Sequence, residues 1–240
     1  MMLAYHEISN SSEKDVYALT AQTFRRHALI VGEYCEGVDC MTFDDGHRSN
    51  FDLALPVLEE LRIRATFFIT TAWINLLDSI MTWDQLRQLC RAGHMVASHT
   101  HTHPMLTSCS DRTLRNELIV SKRILEDRLG IEITSISMPG GRTDRRVLAA
   151  CTAAGYERVY TSRVGECLQS REEYPLVIGR YVVTRSTSDR TLASYLAGHR
   201  GTWRRLQLES GAKRLVKCVV GDGLYQRAWR RLVRSQSFGS

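Results

Sequence analysis

No apolar run in the 240 residues exceeds a few positions, so no segment is long enough to cross a bilayer as a helix. Prolines number only four and the sixteen glycines follow no period, which excludes a collagen-like or low-complexity chain. The Cys-x-x-Cys spacing of metal and redox sites is missing. Seven cysteines are an odd set, which argues against a disulfide framework or a zinc ribbon and suits free thiols in a reducing compartment. Met1 to Tyr5 lead directly into His6 and Glu7, without the basic start and apolar stretch of a signal peptide. These absences point to a cytoplasmic protein. No internal repeat, helix-turn-helix, zinc-finger or aromatic RNA-binding pattern occurs either, so no nucleic-acid partner is expected.

What the chain does contain is ordinary globular usage, 43% hydrophobic and 24% charged residues, at a length suited to one large domain or two small ones. Its net charge of +6 is unevenly placed. Residues 199–240 hold ten Lys and Arg against Glu209 and Asp222, a net +8, while residues 1–198 are slightly acidic at −2. The division suggests a folded body over 1–198 and a basic extension over 199–240.

Short apolar runs at 3–6, 38–43, 65–70, 95–98, 133–138, 158–161 and 177–183 read as strands. Between them, 23–34, 50–61, 83–91, 111–129 and 144–154 carry helical periodicity. Gly32, Gly93, Gly130 and Gly155 mark helix ends, and Ser110 or Asp111 and Thr143 or Asp144 offer caps. Such alternation means a parallel α/β architecture, and about seven strands fit a (β/α) barrel better than an open sheet. Chemistry is then expected at the carboxyl ends of the strands.

Polar residues gather at four of those ends. Leu3-Ala4-Tyr5 runs into His6-Glu7, Met41-Thr42-Phe43 into Asp44-Asp45-Gly46, Val96-Ala97-Ser98 into His99-Thr100-His101-Thr102-His103-Pro104, and Ile136-Ser137-Met138 into Pro139-Gly140-Gly141. Adjacent carboxylates at the end of a buried strand raise one another's pKa unless a cation separates their roles. Asp45 is the candidate ligand of such a cation and Asp44 the group left to accept a proton. His99 and His103 would lie roughly 13 Å apart along a strand, but roughly 6 Å apart at Cβ in a helical turn or tight loop. Pro104 favours the loop, with His101 pointing away from the pair. Two histidines, one carboxylate and an open position make a catalytic zinc arrangement, although cobalt, nickel or iron also suit this donor set.

The segments Thr42-Phe43-Asp44-Asp45-Gly46 and His99-Thr100-x-x-His103 resemble the first two motifs of the polysaccharide deacetylases, carbohydrate esterase family 4, and Pro139-Gly140-Gly141 resembles the end of the third. The resemblance implies a distorted (β/α) barrel and metal-dependent removal of acetyl groups from N-acetylated sugars. It makes Asp44 the catalytic base and Asp45, His99 and His103 the metal ligands. Thr100 would hold the histidine loop in shape, and the Gly140 N–H would stabilise the oxyanion. Two departures stand out. Ser137 occupies the place of an arginine that often orients the base. The late Leu-x-x-His motif that supplies the acid finds no match near the C-terminus, whereas Leu3-Ala4-Tyr5-His6 matches it at the start, as in deacetylases of poly-N-acetylglucosamine. His6 is therefore the expected general acid, with His199 a rival in a polar run and His47 a residue of the cleft or of a surface loop.

In the extension, the apolar residues 224, 225, 228, 229, 232 and 233 fall on one helical face opposite four arginines. Such a helix packs on the barrel or lies on an anionic membrane, which suits an enzyme of lipid-linked sugars at the inner face. The expected function is metal-dependent N-deacetylation of a bacterial exopolysaccharide or its lipid-linked precursor. The alternatives are hydrolysis of another amide or C–N bond (an N-formyl sugar or a non-sugar substrate) and an inactive glycan-binding barrel.

Overall fold

The computed structural model describes residues 1–10, 15–35, 39–165, 167–168 and 174–220, with backbone alone over 212–220. Strands β1 (Leu3–Tyr5), β4 (Met41–Phe43), β5 (Ala65–Ile69), β6 (Met95–Ser98), β7 (Ser135–Ser137), β8 (Arg158–Thr161), β10 (Leu176–Gly179) and β11 (Tyr181–Val182) run parallel in one curled sheet of nine, ordered β11-β1-β4-β5-β6-β7-β8-β10-β9. The ninth, β9 (Cys167–Leu168), is antiparallel to β10. Buried on both faces, these strands read as continuous apolar runs. Residues alternate between the faces. Phe67 enters the main core with the helices, while Phe68 joins Ala97 and Tyr160 on the opposite face of the curl.

The expected seventh strand, 177–183, is split at Arg180. Up to Gly179 it pairs with β8, and from Tyr181 it pairs with β1. One continuous segment therefore joins the two ends of the strand order, and the curl closes there, with β1 beside β11. The start of the expected 38–43 strand, at Val38, lies outside the described residues.

Helices α1 (Ala21–Tyr34), α2 (Leu55–Glu60), α3 (Trp83–Arg91), α4 (Asp111–Leu129), α5 (Arg145–Ala153) and α6 (Asp189–Leu196) pack their buried faces on the main core. Ser110 caps α4 and Asp144 caps α5 through the backbone N–H three residues on. Gly130, at φ 68°, closes α4 in the left-handed conformation. Gly32 closes nothing: α1 passes through it to Tyr34, since one glycine costs a helix only about 1 kcal/mol. The expected 50–61 helix opens as a wider turn over Asn50–Ala54, because Pro56 has no N–H with which to continue an ordinary ladder.

Two three-residue strands, β2 (Glu7–Ser9) and β3 (Ala18–Thr20), form a separate parallel pair beside the cleft. The last helix, α7 (Arg200–Val220), lies against the body through buried Leu206 and through Trp203, which stacks on Tyr195. The amphipathic pattern over 224–233 falls outside the described residues. No helix of the described residues is long and apolar enough to cross a membrane.

Candidate active site

The carboxyl ends of β1, β4, β6, β7 and β8 open into one cleft of about 550 Å³, within the range of small-molecule sites. His6, Asp44, Asp45, His99, His103 and Gly140 all line it, so the structure brings together every candidate residue except the rival His199, which is exposed and outside the cleft. His47 lines it too, with Nδ1 2.7 Å from Ser49 Oγ. Helix α7 lines it as well, through Leu206, Gln207, Glu209, Ser210 and Gly211.

Asp45, His99 and His103 place one donor atom each within 4.8 Å of one another. Nε2 of both histidines lies 3.4 Å from Asp45 Oδ1. The His99 Nδ1–H donates to the Ser137 carbonyl at 2.9 Å, which fixes the tautomer and turns the Nε2 lone pair toward Asp45. Two imidazoles and a carboxylate converging in this way fit a small divalent cation.

Backbone strain holds these side chains in place. Of the five non-glycine residues with positive φ among the described residues, three are Asp45 (71°), Thr100 (68°) and His103 (62°). For a β-branched residue such as Thr100 this conformation is a rare one, and local bonds stabilise it. The Thr100 N–H donates to Ser98 Oγ at 3.2 Å, and Thr100 Oγ1 accepts the His103 N–H at 3.1 Å. Buried Glu117 on α4 accepts the N–H groups of His101 and Thr102 at 2.9 and 2.8 Å and the Thr102 hydroxyl at 2.6 Å. His101 turns away to Thr71 Oγ1, 2.9 Å distant.

The electrostatics follow from burial. Desolvation works against charge on Asp44, yet Arg180 and His99 outweigh it and hold the carboxyl below its usual range. Asp45 is likewise held far down, despite burial, by His99 and His103. Burial works against charge on His99 as well, but Asp44 and Asp45 raise it above the ordinary value. His103 is pushed down to about 4 by burial, so its ring stays neutral and able to ligate. His6 packs its ring on Tyr17 at 4.9 Å, and its Nδ1 is buried with no hydrogen-bond partner among the described residues.

Arg180 and Glu117 escaped the sequence reading. Arg180 is fully buried and grips Asp44 through both oxygens, at 2.7 and 2.8 Å. Arg180 reaches the site from 136 positions beyond Asp44 and Glu117 from the next helix, and no local motif marks either.

A curled parallel sheet with two carboxylates and two histidines at its carboxyl edge defines an α/β protein with a candidate metal site, and comparison with known proteins gives it a family. The polysaccharide deacetylase family matches residues 33–159, more than half of the chain, which therefore belongs to that family. A chitooligosaccharide deacetylase of Sinorhizobium fredii is 32% identical over 124 residues, covering 51% of this chain and 55% of its own. The peptidoglycan-N-acetylglucosamine deacetylase of Bacillus cereus is 28% identical over 111 residues, 46% of this chain and 38% of its own. The chain spans about half the length of the curated relatives it matches. Among solved structures, the deacetylase PplD of Streptococcus pyogenes shares the fold at a TM-score of 0.72, with 20% identity, over 81% of this chain and 96% of its own. IcaB of Ammonifex degensii does so at 0.68, with 21% identity, over 81% and 95%.

Proposed function

We propose that this chain is a metal-dependent N-deacetylase acting on N-acetylated sugars of an exopolysaccharide or of its lipid-linked precursor. The observation that supports it is the convergence of Asp44, Asp45, His99 and His103 in one cleft on a deacetylase fold. Asp45, His99 and His103 hold the ion, with zinc the default. A divalent cation there supplies positive charge that acidifies a water and polarises the acyl oxygen. Asp44 accepts the proton of the attacking water, the Gly140 N–H faces the oxyanion, and His6 delivers a proton to the departing amine. His6 follows β1 and Asp44 follows the neighbouring β4, so acid and base stand at the ends of adjacent strands of one cleft.

The lone pairs of Asp44 decide which atom takes the proton. Oδ2 accepts from Arg180 Nη2 and from the Ser137 hydroxyl (3.2 Å), whereas among the described residues Oδ1 accepts from Arg180 Nη1 alone. Oδ1 thus keeps one lone pair, and it is the base.

The basic extension supports a second element of the reading, peripheral contact with an anionic membrane. On α7, exposed Leu208 sits between the cleft-lining Gln207 and Glu209 and close to Arg204 and Arg205. Acetate release from N-acetylglucosamine oligomers and from a polyprenyl-phosphate-linked sugar, before and after chelation, tests the activity. Release that chelation abolishes is expected, and release only from N-formyl or non-sugar amides would redirect the reading. Co-sedimentation with anionic liposomes, lost on truncation after Asp222, tests the contact; no binding by the full chain would remove it.

A further inference from the structure

Ser137 stands where the family resemblance expects an arginine for the base, yet the base does not lack one. Arg180 lies outside the matched 33–159 segment, at the seam where β10 hands over to β11 and the curl closes. From there its side chain crosses the face of the sheet opposite the helices, passing over Phe68 and Tyr160 with the guanidinium carbon 5.2 and 5.8 Å from the ring centroids. All of its donors are used. Nη1 donates to Asp44 Oδ1 (2.7 Å) and Thr42 Oγ1 (2.8 Å), Nη2 to Asp44 Oδ2 (2.8 Å) and Ser137 Oγ (2.7 Å), and Nε to the Thr161 carbonyl (3.4 Å). The Thr42 hydroxyl spends its own proton on the Leu3 carbonyl at 2.7 Å, which frees its oxygen to accept from Arg180.

We infer that Arg180 is the positioning residue for Asp44, delivered through the closing seam of the barrel instead of from β7, and that Ser137 is small because the guanidinium fills the space a longer side chain would need. A lysine could not do the same work, since only the planar fork engages both carboxylate oxygens and two hydroxyls at once. The network also assigns the acceptor atom, because Arg180 and Ser137 together saturate Oδ2 and leave Oδ1 open. Burying a charged pair is costly unless it is hydrogen-bonded, and here all five guanidinium N–H groups and both carboxylate oxygens have partners.

This inference rests on the deacetylase reading, and its test separates the two. Wild type, Arg180→Ser, Arg180→Lys and the exchange Ser137→Arg/Arg180→Ser are compared for bound metal, kcat and KM in acetate release. Arg180→Ser is expected to keep its metal and KM while kcat falls roughly 100-fold. Arg180→Lys, which keeps the buried charge, folds and loses roughly tenfold in kcat because it has no fork. The exchange recovers at least tenfold over Arg180→Ser. A kcat in Arg180→Lys or Arg180→Ser within threefold of wild type, an exchange no better than Arg180→Ser, or failure of Arg180→Lys to fold would each overturn the inference. No acetate from wild type counts against the deacetylase reading instead. Thermal unfolding of Arg180→Ser, Asp44→Asn and the double variant then reads the contact without substrate: coupling is expected, and additivity overturns it.

Discussion

At the scale of single residues, the site is a set of strained or buried groups, most of them held by identifiable hydrogen bonds. Ser137 carries two duties, one through its carbonyl to His99 and one through its hydroxyl to Asp44. Ser137→Ala keeps the first and loses the second, so metal stoichiometry should stay unchanged while kcat falls several-fold; loss of metal instead would mean the hydroxyl shapes the histidine turn. Glu117 acts one step further out, fixing the histidine loop through three bonds. Glu117→Gln should weaken metal affinity by roughly 10- to 100-fold, with kcat preserved at saturating metal; titration with a competing chelator measures it, and unchanged affinity would remove the loop from the account. Asp44, Asp45, His99 and His103 were legible in the sequence because each sits next to a strand end, where residue order alone places side chains at the carboxyl edge. Arg180 and Glu117 were not, because their meaning lies in a contact made across the fold: 136 positions separate Arg180 from Asp44.

At the scale of elements, periodicity located what is long and repeated. The expected 83–91 and 111–129 helices and the 95–98 and 158–161 strands coincide with α3, α4, β6 and β8. The three-residue strands β2 and β3 carry too little alternation to register, and α6 lies between the last expected strand and the basic extension, a stretch for which no element is expected. The split of the last strand is invisible to hydropathy, since a change of neighbour leaves no mark on a continuous apolar run. Where α1 meets α6, His27 is fully buried, and its Nε2 lies 3.5 Å from Asp189. Burial lowers its pKa despite that carboxylate. A histidine held neutral in the fold binds fewer protons than in the unfolded chain once pH falls below about 6.5, so stability falls as pH drops through that value toward the folded pKa. Thermal unfolding at pH 7.5 and 5.5 should therefore show a smaller acid-induced loss in His27→Leu than in wild type, and equal losses would refute the assignment.

At the scale of the whole molecule, the barrel closes by pairing the first and last strands among the described residues, so side chains from early and late in the described chain meet over one cleft. His6 reaches it from the start and α7 walls it from the end, which ties the stability of the body to the occupancy of the site. An ion bound at a hundred times its Kd stabilises the fold by about 2.7 kcal/mol, and at about 2–4 °C per kcal/mol for a chain of this size chelation should lower Tm by roughly 5–10 °C. An unchanged Tm would mean that the three ligands do not hold an ion in solution. In the proposed reaction Asp45, His99 and His103 bind the metal while Asp44, beside them, moves the proton. The most direct measurement is metal content together with acetate release from an N-acetylglucosamine oligomer, for wild type and Asp44→Asn. Near-stoichiometric metal in both proteins, with release falling by roughly 10²–10⁴ in Asp44→Asn, is the predicted result. Carefully prepared wild type without metal, or an Asp44→Asn variant as active as wild type, would contradict it.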